Sequence, residues 1–189
     1  MAGARRLSRD RIVDEALAMA RDEGVAAVTL RPLAARLGVG ASALYRHVAS
    51  RDELLALMHA RVTDSPSAVP DEPWEPALRR VAVTTWDIYE PYPGLAAEAV
   101  AGRAVTDGSI ADAARLVDML VRGGFPPEEA PLRLLTFVQW ILRFIATTER
   151  HPPPGTPAQT PAVQLPDPRS LYDHGVDLLI EGLRARLPG

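Results

Sequence analysis

The sequence predicts an all-α fold in two parts. Three observations carry this. Apolar residues recur at i, i+3, i+4 and i+7 along almost the whole chain, while strand-like alternation is nearly absent. Helix start and stop residues (Ser, Thr, Gly, Pro) fall at the edges of these periodic segments. A segment with three prolines and three acids, "DSPSAVPDEP" (64–73), separates a front of about 63 residues from the rest and reads as a linker.

Taken in order, the first helix runs from about Ser8 to Glu23, with Ile12, Val13, Ala16, Leu17 and Ala20 on one face and Gly24 as its stop. Thr29 is placed to cap a second, short helix bearing Leu30, Leu33, Ala34 and Leu37. Pro32 falls in its first turn, where a missing N–H costs little. Gly38 suits the left-handed residue that ends it. A third helix, about 41–47, buries Leu44. Ser50 and Glu53 form an S-x-x-E capping box opening a fourth, whose apolar side is Leu54, Leu55, Leu57, Met58 and Val62. Beyond the linker, helices are expected at about 74–90, 93–104, 109–122, 127–149 and 169–186. The stretch "HPPPGTPAQTPAVQLPDP" (151–168) holds seven of the 18 prolines and reads as a mobile loop.

Composition narrows the function. With 189 residues and 47% apolar content, the chain suits one or two compact domains. The absence of cysteine excludes disulfides, thiolate metal sites and a Cys nucleophile. The N-terminus lacks the apolar core of a signal peptide. The greasiest stretch, "LLTFVQWILRFIA" (134–146), is too short to span a bilayer. A soluble cytoplasmic chain, with no membrane partner, is expected. All 21 basic residues are arginine, a bias for which base composition of the gene is explanation enough. Their distribution is more informative. Residues 1–62 hold ten Arg against seven acids (+3), and residues 63–189 hold eleven against seventeen (−6). A basic front on an acidic body suggests that the front meets a polyanion.

The two short helices around "LGVG" have the spacing of a helix-turn-helix. In that geometry the second helix enters the DNA major groove, and the N-terminal N–H groups of the earlier helix face a phosphate. An arginine fork fits guanine, and small side chains fit thymine methyls. Residues 38–43 also match G-x-G-x-x-A, the dinucleotide fingerprint. That motif needs a preceding strand, and the preceding segment has helical period, so it is rejected.

The stretch "TLRPLAARLGVGASALYRHVASRDELL" (29–55) resembles the DNA-binding segment of the tetracycline-repressor (TetR) family, through T-x-R-x-L-A-x-x-L-G-V followed by L-Y-x-H-V. The resemblance covers about residues 8–62. It implies an all-helical dimer with a three-helix DNA-binding unit (1–63) and a C-terminal ligand-binding and dimerisation body (74–189). Carried over by position, Thr29, Tyr45, His47 and Arg51 would contact phosphate. Arg31, Ser42, Ala43 and Arg46 would make base or near-base contacts. Family members often carry larger polar residues where this chain has Gly40 and Ala41, which leaves few base-reading side chains in the third helix. Each residue also has a plainer reading. Tyr45 could pack in the small core, His47 could be structural, Arg46 and Arg51 could be solvated charges, and Arg31 could touch backbone rather than base.

In the body, residues 127–149 are apolar on most sides. Phe137, Trp140, Ile141 and Phe144 make one face, Leu134, Val138, Leu142 and Ile145 another, with Thr136, Gln139, Arg143 and Thr147 as a polar stripe. Two readings stand side by side: a core helix whose stripe meets a second subunit, or the wall of an effector pocket, since such pockets are mostly apolar with a few polar groups. The pocket reading takes Phe137, Gln139, Trp140, Arg143 and Phe144, faced by Trp86 and Tyr89. Leu171, Gly175, Leu178 and Gly182 fall on one line of the last helix and are expected to form a close-packed dimer seam. Histidines 47, 59, 151 and 174 lack metal-ligand spacing, and no cofactor is implied. The expected function is a ligand-responsive transcriptional regulator. It would be a repressor that binds palindromic operator DNA as a homodimer and answers to an unidentified small effector. An architectural or cell-cycle DNA-binding protein on the same fold, without an effector, is the alternative. A small helical enzyme lacks any nucleophile–base constellation.

Overall fold

In the computed structural model, residues 7–63, 72–103, 107–148 and 166–187 are described. They form helices, with no strand among the described residues. The front comprises α1 (Arg9–Glu23), a 3₁₀ turn (Val25–Ala27), α2 (Leu30–Arg36), α3 (Ala41–Tyr45) and α4 (Arg51–Thr63). The body comprises α5 (Trp74–Tyr89), α6 (Leu95–Glu98), a π-type turn (Ala99–Arg103), α7 (Asp107–Arg122), α8 (Ala130–Thr148) and α9 (Pro168–Arg184). Most of the expected linker and nearly all of the proline-rich segment 151–168 lie outside the described residues.

The expected caps largely form. Ser8 Oγ accepts from Arg11 N at 3.2 Å and opens α1. Gly38 adopts φ 68°, and two bonds, Val39 N to Ala34 O at 3.0 Å and Gly38 N to Ala35 O at 3.1 Å, close the end of α2. This is the paired arrangement that a left-handed glycine permits at a helix C-terminus. Glu53 N donates to Ser50 Oγ at 3.1 Å, while the Glu53 carboxylate reaches back to Ala49 N at 2.6 Å, one residue earlier than the usual capping-box partner. The segment expected as one helix over 93–104 is instead short α6 followed by the π-type turn. Gly102 has φ 81°, which a regular helix cannot continue through.

The front packs around Ile12, Ala16, Leu33, Leu44, Leu54 and Leu55, all fully buried. The body packs α5, α7, α8 and α9 around Leu78, Leu120, Phe137, Ile141, Tyr172 and Ile180. Three ion pairs run between α5 and α9: Arg184 to Glu75, Arg79 to Asp177, and Arg169 to Asp87 at 3.1 Å. Exposed pairs of this kind add little stability, but they fix how the two helices sit along each other.

The turn between α5 and α6 is one place where the front docks on the body. Val25 N donates to Pro93 O at 2.8 Å, and Arg21 donates to the Tyr92 hydroxyl at 2.9 Å with its guanidinium 5.1 Å from the Tyr92 ring centre.

Candidate nucleic-acid interface and effector body

The apolar side of α2 and α3 is turned inward: Leu30, Leu33, Ala34, Leu37, Leu44 and Val48 are all buried. Geometry therefore pushes the remaining side chains of the two helices outward. Thr29, Arg31, Ser42, Tyr45 and Arg46 are exposed, and Ala43 and His47 are half-buried. Tyr45, at 54% exposure, is not a core residue, which removes its plainer reading. Thr29 occupies the N-cap position of α2 in extended conformation, yet its side chain makes no cap hydrogen bond. The turn after α3 is fastened from behind. Arg9 Nε donates to His47 O at 3.2 Å, and Arg9 also pairs with Glu53 at 3.3 Å.

Arg51 departs from its expected place at phosphate. Its guanidinium points into the protein, donating to Val28 O at 3.0 Å, to Val25 O at 3.2 Å and to Glu98 Oε1 at 3.3 Å. The carboxylate of Glu98 on α6, the Val28 carbonyl and the Val25 carbonyl, which also accepts from Val28 N at 3.1 Å, together outcompete solvent for this fork. A sequence window around α4 shows none of the three partners.

A helix-turn-helix with an outward polar face agrees with the sequence comparison. Residues 12–58 match the family described as bacterial regulatory proteins, tetR family. Over that segment the chain is similar to the tetR family. It is 38% identical over 92 residues to the HTH-type transcriptional repressor DrrR1 of Streptomyces coeruleorubidus, a match taking in 47% of this chain and 34% of that protein. The chain thus spans about a third of that relative's length. The fold is shared more widely. The Streptomyces coelicolor TetR family protein ActR in complex with actinorhodin superposes with TM-score 0.79 at 24% identity, covering 98% of this chain and 100% of ActR. BioQ with its natural double-stranded DNA operator superposes with TM-score 0.76 at 22% identity, covering 96% of this chain and 100% of BioQ. At such identities the likeness establishes the fold alone.

In this chain, the body residues expected around one effector pocket are distributed among four places. Trp86, Trp140 and Phe144 do gather, around a residue the sequence reading did not select. Tyr172, fully buried, has its ring centre 4.9 Å from Trp86, 6.0 Å from Trp140 and 5.6 Å from Phe144, and its hydroxyl donates to Ala82 O at 2.8 Å. Burial raises the Tyr172 phenol well above its ordinary pKa. Arg169 lies 5.4 Å from the Trp86 ring centre, held by Asp87 and Asp173. Tyr89 is elsewhere, buried at the junction with α4, where its hydroxyl is 3.4 Å from His59 Nδ1. Phe137 is buried beneath a groove between α8 and α9. Arg143 is exposed and Gln139 half-buried, so the polar stripe of α8 runs along its outer side.

The seam residues also divide. Gly175 faces inward: a Cβ there would lie 2.2 Å from Trp140 Cη2 and 2.5 Å from its Cζ2. Its lack of a side chain makes room for the indole of its own subunit, not for a second chain. Leu171 and Leu178 are exposed and Gly182 opens onto empty space. With Leu132, Thr136 and Phe137 of α8, Leu178 and Gly182 border the groove of about 510 Å³ between α8 and α9.

His59 was the other omission. It is fully buried, its Nε2 has no hydrogen-bond partner, and burial pushes its pKa down to about 4, with the Glu98 carboxylate acting in the opposite direction. Its position four residues after Leu55, on the apolar side of α4, was the available signal. Tyr172 was signalled by the stripe Tyr172, Val176 and Ile180, which parallels the outward one. Among the described residues no helix is long and apolar enough to cross a membrane.

Proposed function

We propose that this chain is a ligand-responsive repressor, acting in the cytoplasm by binding rather than by turnover. It holds a palindromic operator as a homodimer and releases it when a small, largely apolar effector occupies the body. The division into a DNA-binding unit (1–63), a linker (64–73) and an effector-binding and dimerisation domain (74–189) belongs to the same reading. The observation that carries it is the two-sided front: Leu33 and Leu44 bury one side of the α2–α3 unit, and Arg31, Ser42, Tyr45 and Arg46 project from the other. Arg31 and Arg46 supply forks for base edges, while Thr29, Tyr45 and His47 fix the backbone.

The body supports assembly and sensing at separate places. Leu132, Leu135, Leu171 and Leu178 leave apolar area on the outer sides of α8 and α9, and Gly182 permits close approach. A second copy placing the same two helices there closes a four-helix bundle, and its two-fold axis matches operator palindromy. The aromatic group of Trp86, Trp140 and Phe144 about Tyr172 supplies flat apolar area for an effector. An effector that binds the non-DNA geometry better shifts the population away from operator binding. The named relatives point the same way: one is called a repressor, one structure holds actinorhodin and another an operator.

The test is selection of bound sequences from a random duplex pool. A palindrome with half-sites one helical turn apart is expected, and Arg31→Ala or Arg46→Ala should relax one position per half-site by roughly 1–3 kcal/mol. Failure to enrich any sequence would overturn the reading.

A further inference from the structure

We infer that Glu53 is a specificity-determining residue: its carboxylate is a built-in counterion that keeps Arg9 from DNA phosphate, so that random DNA is held weakly. The inference rests on the operator-binding reading above, in which Arg31 and Arg46 read the sequence. The arginines of the front are not equally available to DNA. Arg36 is held by Glu15 at 2.8 Å, Glu23 at 3.0 Å and Asp22 at 3.3 Å. Arg61 is held by Asp10 and Asp14, both at 2.6 Å, and Arg51 by Glu98 and two carbonyls. Arg31 and Arg46, exposed on α2 and α3, have no such partner among the described residues. A cation with a carboxylate at hydrogen-bond distance looks nearly neutral from beyond a Debye length, about 8 Å at physiological salt. It displaces few counterions from DNA.

Among these paired cations Arg9 is the one whose release would matter most. Its Nε donates to His47 O at 3.2 Å and its Nη2 to Glu53 Oε1 at 3.3 Å. Arg9 therefore lies against the turn whose Tyr45 and His47 are read as phosphate contacts. It is also the most accessible of the four, with 59% of its side chain exposed. The second oxygen of Glu53 accepts from Ala49 N at 2.6 Å, and Glu53 N donates to Ser50 Oγ at 3.1 Å, so the carboxylate is aimed rather than loose. An exposed pair adds little stability, so its effect falls on what Arg9 can reach. On the operator, base contacts fix the turn, and with it the Arg9–His47 bond that keeps the guanidinium behind it. On random DNA no base contact does so, and a released Arg9 would favour random DNA more than operator.

The test uses the full chain as wild type, Glu53→Gln and the double variant Arg9→Gln/Glu53→Gln. Glutamine keeps the shape and an acceptor for Ala49 N, and removes the charge. Affinity for the selected operator and for a random duplex is measured across a salt series. Glu53→Gln should bind random duplex on the order of tenfold more tightly, with the slope of log K against log salt steeper by about one unit per subunit. Operator affinity should rise by less, so that the ratio of operator to random binding falls. The double variant should return random-duplex affinity and slope to the wild-type values. Unchanged random-duplex binding in Glu53→Gln would overturn the inference. So would a gain that persists in the double variant, since loss of repulsion by Glu53 then accounts for it without Arg9. A double variant whose slope is shallower than wild type by about one unit per subunit makes Arg9 a phosphate contact already, and overturns the inference as well. If wild type selects no operator, the operator reading fails separately, and the random-duplex measurements decide the role of Glu53 by themselves.

Discussion

Substituting Gly175 by alanine tests whether this glycine serves the interior of the subunit. The added Cβ would sit 2.2 Å from Trp140 Cη2 and 2.5 Å from Cζ2, well inside contact distance. The indole has little room to retreat, since it stacks over Tyr172 at an interplanar angle of 24° and meets Phe144 at 5.3 Å. Overpacking of this kind costs roughly 1–3 kcal/mol. Alanine recovers about 1 kcal/mol of helix propensity over glycine. The net expectation is a loss of about 1 kcal/mol, or about 2–4 °C in Tm for a chain of this size. The clashing atoms belong to the six-membered ring, so Trp140→Leu should remove them. In that background Gly175→Ala should turn stabilising, by up to about 1 kcal/mol. Urea melts of wild type, both single variants and the double variant, at two protein concentrations, supply the cycle. Equal effects of Gly175→Ala in both backgrounds would refute the packing argument. An effect that grows on dilution would return Gly175 to a subunit interface.

Four further outcomes are expected. His59 is neutral when folded, with its pKa held down at about 4 by burial against an ordinary 6.5, so unfolding takes up a proton below pH 6.5. Stability from this group is complete above pH 6.5 and declines as pH falls toward 4, by up to about 3 kcal/mol, and His59→Leu should flatten urea stability over that window. Leu178→Glu places a charge on the α8–α9 groove and should yield monomer in sedimentation velocity; an unchanged dimer would move the interface elsewhere. Tyr45→Ala should weaken operator and random DNA alike, whereas Arg46→Ala should cost more on the operator, a contrast that titrations on both duplexes will show. Trp140→Ala should abolish operator release by an effector while nearly preserving operator affinity, and equal release from both proteins would return Trp140 to the core.

Much of the front was legible from local sequence, because its determinants are local. Ser8, Gly24, Thr29, Gly38 and Ser50 lie at helix boundaries where their backbone preferences place them, and 3.6-residue periodicity selected Ile12, Leu33, Leu44 and Leu54 as core. The outward side of α2 and α3 follows from that core, since a helix that buries one stripe exposes the other. The tertiary structure alone decided which partner each side chain meets. Arg51 carries the same charge at phosphate as inside the fold, and only the nearness of Val25, Val28 and Glu98 settles where its fork points. On α9, two apolar lines one residue apart are equivalent in periodicity. Tyr172, Val176 and Ile180 turn inward, while Leu171, Leu178 and Gly182 turn outward. Gly175 marks where Trp140 of α8 needs its space. That assignment depends on a helix some thirty residues away, and no local pattern encodes a contact over that distance.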